Sequence, residues 1–100
     1  MNSNEPIVIE NDVSRGSYPA TEVVTLRIRS ETGKRTLILK LLTTDTAMKI
    51  YAAVKPYVEN KGKLFEVRTT FPNKAYDEQD PRTLKELGLA PSSALVIQLK

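Results

Sequence analysis

Two short stretches carry the residues whose types and spacing could do chemistry, and that chemistry is recognition. In Val24-Thr25-Leu26-Arg27-Ile28-Arg29 two arginines stand two residues apart. On a strand that spacing sends both guanidinium groups to one face. There they form a planar fork suited to a carboxylate or carbonyl on a partner. A solvated outer face, the usual fate of outward arginines, has the same pattern, and spacing alone favours it. The second stretch is Thr69-Thr70-Phe71-Pro72-Asn73-Lys74. Alternation from Val67 and Thr69 would turn Phe71 inward, whereas Pro72 fixes its own φ and drives Phe71 out of the helical region. An aromatic–proline bond is also a place where a cis peptide can occur. An aromatic on a rigid loop loses little entropy on docking and makes a good interface anchor. Physics alone does not choose between that anchor and a phenylalanine tucked into the core edge.

Catalytic alternatives are poorly supplied. The 100-residue chain has no histidine and no cysteine. The usual general base near neutrality, thiolate chemistry, disulfides and cysteine-zinc sites are therefore excluded. Thr32-Gly33-Lys34-Arg35-Thr36 ends like a phosphate loop, but the upstream glycine such a loop needs would fall at Ile28. The acidic Asp77-Glu78-Gln79-Asp80 lacks calcium-loop spacing and reads as a solvated turn. No enzyme, metal or cofactor is expected. The formal charge of +3 divides into −3 for residues 1–22 and +6 for the rest. A basic body favours acidic partners. With six aromatics and dispersed cations, the stacking-plus-phosphate pattern of a nucleic-acid binder is missing. No apolar run is long enough to span a bilayer, and the N-terminus does not read as a signal peptide. The expected setting is intracellular, cytoplasmic or nuclear.

The elements that would position these residues follow from periodicity. Residues 1–22, rich in Asn, Ser, Glu and Pro, are expected to form a flexible lead-in or linker, with a partner-folding motif as the alternative. Val24, Leu26 and Ile28 alternate as the inner face of a first strand, and Leu37, Leu39 and Leu41 do the same in a second. Between them Ser30-Glu31-Thr32-Gly33-Lys34 predicts a hairpin turn. Ala47, Ile50, Tyr51, Val54 and Val58 recur at helical spacing. Thr44 or Asp45 is the expected N-cap, and Pro56 should end or kink the helix near Lys55. A third strand runs from Leu64 to Thr70, with Phe65 and Val67 inward, and a short fourth covers Lys74 to Tyr76. Asp80-Pro81 through Gly88 predicts a short helix, with Leu84 and Leu87 toward the core. A last strand, Ala94 to Leu99, turns Leu95, Ile97 and Leu99 inward. The order ββαββ, short helix, β is that of an α+β β-grasp, the ubiquitin-like fold. In it a mixed sheet packs on one main helix and the last strand pairs beside the first.

With Leu26-Arg27-Ile28-Arg29, the loop stretch 69–74 and Thr83-Leu84-Lys85-Glu86 in place, residues 23–100 resemble a UBX domain. That is a ubiquitin-like module of adaptors of the valosin-containing, Cdc48-type AAA ATPase. The resemblance implies a domain that docks on the N-terminal domain of that ATPase in ubiquitin-dependent protein handling, as a monomeric part of a larger protein. It implies that Arg29 is the strand arginine, Phe71 the inserted aromatic and Pro72 the loop proline, often cis in the family. Asn73 stands where arginine is commoner, which removes one charged contact, although some members carry Phe-Pro-Asn. Arg27 is a further candidate contact, and Lys74 the candidate replacement for the missing charge. The last residues, Gln98-Leu99-Lys100, lack the Gly-Gly of a conjugated modifier. The competing reading is a Ras-association-type domain, in which the exposed edge of the second strand pairs with a small GTPase and Arg27, Arg29 and Lys40 meet its acids.

Overall fold

The computed structural model describes residues 6–70 and 73–100. The first predicted hairpin forms as β2 (Val23–Arg29) and β3 (Thr36–Leu42), antiparallel with Leu26 opposite Leu39. Its turn needs a left-handed residue, and Gly33 supplies it at φ 77°. The amide of Gly33 donates to the Ser30 carbonyl. Helix α1 (Ala47–Val54) follows, and Lys55–Tyr57 tightens into a 3-10 turn at Pro56, where proline removes a ladder donor. Strands β4 (Phe65–Thr70), β5 (Asn73–Tyr76) and β6 (Ser92–Leu99) complete the predicted set. Among the described residues no helix is long and apolar enough to cross a membrane.

With a further strand β1 (Ile7–Ile9), one six-stranded sheet has the order β1-β3-β2-β6-β4-β5. β6 lies parallel to β2 and antiparallel to β4, so the sheet is mixed. Most residues predicted to face inward form a single core, with Phe65 packed at its margin and Leu99 half-buried outside it. Val24, Leu26, Ile28, Leu37, Leu39, Val67, Leu95 and Ile97 meet Ile50, Tyr51 and Val54 of the helix. Burying each large aliphatic side chain in such a cluster contributes roughly 1.5–3 kcal/mol.

Three features depart from the sequence reading. The segment read as a flexible lead-in contains β1 (Ile7–Ile9), which pairs in parallel with β3 through Ile7–Leu37, Val8–Ile38 and Ile9–Leu39. Ile9 is buried in the core cluster. Composition averaged over 22 residues hid a three-residue apolar run, Ile7-Val8-Ile9, and the free edge of β3 supplies the backbone partners it needs. The expected helix between residues 80 and 88 is one hydrogen-bonded turn. Thr83 and Glu86 bond each other's backbone amides at 2.8 and 3.1 Å, a capping box that holds a single turn shut. Leu84 and Leu87 nevertheless reach the core, joined by Leu89. Helix α1, finally, starts after Thr46, with no side-chain cap bond. The Asp45 carboxylate accepts instead from the Leu42 amide at 2.8 Å, closing the preceding turn, while its carbonyl accepts from Leu84.

Candidate recognition surface

The face of the sheet opposite the helix presents the predicted arginines. Strand alternation buries Leu26 and Ile28 and leaves Arg27 and Arg29 exposed. Neither arginine has a side-chain partner among the described residues. Register extends this pattern across three strands. Arg29 is opposite Val96 of β6, and Val96 is opposite Arg68 of β4. Residues paired across a sheet share a face, so the two arginines flank a half-buried valine on strands about 10 Å apart. One row along, Arg27 is opposite Ala94. Here Thr25, Arg27, Ile38, Ser92, Ser93 and Ala94 line an open depression of about 530 Å³.

Arg68 organises the other end of this row. Its Nε donates to Asn73 Oδ1 at 3.0 Å, an Nη donates to the same oxygen, and its second Nη pairs with Glu66. Alternation from inward Val67 puts Arg68 on the outer face but does not name its partner. The signal that could have found the contact is register: with Thr70 opposite Asn73 and Arg68 opposite Ala75, Arg68 lies diagonal to Asn73. Asn73, exposed at the start of β5, is thus committed as an acceptor to an arginine of its own hairpin. Lys74 is on the other face of β5, with Nζ 5.3 Å from the centroid of the Tyr76 ring. The structure therefore groups Arg27, Arg29, Arg68 and Asn73 on one face and does not bring Lys74 to them. Phe71 and Pro72, which join Thr70 to Asn73, lie outside the described residues, as does the predicted bond between them.

The hairpin that carries this stretch is tied to the helix by a buried hydroxyl. Tyr51 donates to the Tyr76 carbonyl at 2.5 Å and accepts from the Val67 amide at 2.9 Å. Burial pushes the phenol pKa up, against the Val67 hydrogen bond, which lowers it. The Tyr51 ring also stacks on Phe65, with centroids 5.5 Å apart. One side chain of α1 thereby fixes both strands of the hairpin.

The acidic stretch before residue 83 organises its own turn. Asp77 accepts from the Gln79 amide, and Asp80 accepts from the Arg82 amide and guanidinium. The Arg82 side-chain bond, with its backbone bond next, lowers the Asp80 pKa from 3.8 to about 2. At the far side of the sheet, Glu31 binds the backbone and side chain of Asn60 through one oxygen. Burial raises its pKa, but these hydrogen bonds outweigh it and the net shift is downward. All three carboxylates are engaged in holding loops.

Known proteins place this geometry. The solution structure of the UBX domain of D0H8S2298E protein superposes with a TM-score of 0.66 at 23% identity, covering 84% of this chain and 75% of that one. The fold is shared with that ubiquitin-like domain. A human relative, UBX domain-containing protein 11, is 30% identical over 82 residues, which is 82% of this chain. The chain spans only 16% of that relative's length. The UBX domain family model matches residues 18–99, the span holding every strand of the sheet except β1. By that match the chain belongs to the UBX domain family, a family of ubiquitin-like protein-interaction modules.

Proposed function

We propose that this domain docks, without catalysis, on the N-terminal domain of a valosin-containing, Cdc48-type AAA ATPase. In this role it is the adaptor part of a larger protein in ubiquitin-dependent protein handling, in the cytoplasm or nucleus. The observation that carries the reading is the row Arg29–Val96–Arg68, which ends in the Arg68–Asn73 bond beside the Phe71-Pro72 stretch. Arg29 supplies charge-assisted hydrogen bonds to the partner. Phe71 fills an apolar pocket and Pro72 restricts the loop. Where arginine is commoner at position 73, Asn73 keeps a guanidinium at the tip by holding Arg68 from the neighbouring strand. Because Glu66 offsets that charge, Arg29 remains the principal cation of the interface.

A chemical-shift titration of the labelled domain with the ATPase N-terminal domain tests this. Perturbations should concentrate on residues 27–29, 68–74 and 94–96, and Arg29→Ala should weaken them. An unperturbed spectrum at saturating ATPase would remove the proposal. The Ras-association reading is less favoured, because the β3 edge it needs is occupied by β1 at Leu37, Ile38 and Leu39. Binding that requires a GTP-loaded GTPase would reverse that preference.

A further inference from the structure

We propose that residues 7–14 are an intramolecular strap that keeps the β3 edge from pairing with a second copy of this chain. This inference is independent of ATPase docking. The strap lies outside the span 18–99 matched by the family, so it is an addition to the shared domain. It is also a built cover. Three residues of β1 pair with Leu37–Leu39, and Asn11 Nδ2 then donates to the Lys40 carbonyl at 3.0 Å. Asn11 is held in place by Ser14, whose amide donates to Asn11 Oδ1 at 2.8 Å and whose hydroxyl accepts from the Asn11 amide at 2.9 Å.

What the strap covers explains why a second copy is the competitor. β3 reads Thr-Leu-Ile-Leu-Lys-Leu-Leu, seven residues with one charge. A long, apolar, unpaired edge of that kind is a template for pairing with another chain. An antiparallel pair of β3 strands about a two-fold axis at Leu39 sets Leu37 against Leu41 and Ile38 against Lys40. No like charges are opposed, and the contact is self-complementary, as two-fold symmetry requires. The inward leucines of the second copy would also cover the core margin that Ile9 covers now. The strap is lightly held. Its strand β1 has three residues, Val8 is 55% exposed, and of residues 7–14 only Ile9 is buried. Short elements with few buried contacts open at low cost.

The test is sedimentation equilibrium of the full chain and of full-chain Ile9→Asp, which places a carboxylate where the strap enters the core. The variant should dimerise with a dissociation constant at least about tenfold below that of the parent. A peptide of residues 6–14 added in excess should return it to monomer. A folded Ile9→Asp chain that stays as monomeric as the parent overturns the proposal, and so does a dimer the peptide leaves untouched. If Ile9→Asp does not fold, the full-chain double variant Ile7→Ser, Asn11→Ala loosens the strap without altering the buried Ile9. The same readout decides: a parent-like monomer overturns the proposal, and a peptide-reversible dimer supports it.

Discussion

At one edge of the sheet β5 sets four residues against β4, and at the other β1 sets three against β3. Both cover a row of backbone groups that would otherwise stand unpaired, and neither is long enough to be stable by itself. Their anchors differ. β5 is tied through the Tyr51 hydroxyl, which reaches both strands of its hairpin from inside the core. β1 is tied by one buried isoleucine and a half-buried amide, Asn11. A buried hydrogen-bonding group is costly to leave unpaired, so it locks an edge in one arrangement. An apolar side chain on a short strand can withdraw without orphaning a polar group in the core. The first device suits an edge that must keep one register, and the second suits a cover that can come off.

The largest expected effect separates the two edges by binding. Phe71→Ala should lower affinity for the ATPase N-terminal domain by about 2 kcal/mol or more, with no matching loss at the β1 edge. Calorimetric titration reads it, and unchanged affinity would break the assignment of recognition to the β5 edge. Ile9→Ala supplies the other half of the contrast. It should cost about 2 kcal/mol of folding stability by urea unfolding, the low end for a buried isoleucine because the site is at a sheet edge. It should also leave ATPase affinity as it was. A large loss of affinity would show that the two edges are coupled.

Tyr51→Phe tests the anchoring difference directly. It leaves the Val67 amide and Tyr76 carbonyl without their hydroxyl partner, at a cost of about 1–2 kcal/mol. Amide exchange should quicken at Val67 before it quickens in β2 or β3. Uniform quickening would mean that the hydroxyl serves the whole core and not this hairpin. The smallest effect is expected in the turn that belongs to neither edge. Arg82→Ala should raise the Asp80 midpoint from about 2 toward 3.8, followed by carboxyl chemical shifts. Because the folded pKa is depressed, the contribution of Asp80 to stability is present above about pH 3.8 and lost as pH falls through about 2. An unmoved midpoint would assign the shift to the backbone bond instead of the guanidinium.

Much of this molecule is legible in its sequence, because alternation and helical spacing are local. Val24, Leu26 and Ile28, then Leu37, Leu39 and Leu41, name their buried face by period two, and Ile50, Tyr51 and Val54 name theirs by the helical period. Pro56 marks the end of α1 and Gly33 the turn, since each restricts or frees φ in a way that no neighbour overrides. The exposure of Arg27 and Arg29 follows from the same alternation. Where the sequence reading failed, competing hydrogen bonds decided. Asp45 has the chemistry of a helix cap, yet it is used by Leu42 and Leu84, because the turn at 83–89 docks beside it. The stretch 80–88 carries helix signals, but Thr83 and Glu86 close it within one turn.

Local residue type and periodicity thus determined the β-grasp order, its core and the arginine-bearing face. Three things came only from tertiary structure: β1 on the β3 edge, Arg68 bound to Asn73, and the Tyr51 hydroxyl between β4 and β5. Each depends on a partner that register or packing, and not local periodicity, brings close. Ile9 meets Leu39 thirty residues away, and Tyr51 meets Val67 and Tyr76 across the core. Such pairings are fixed by sheet register and packing, which no single segment encodes.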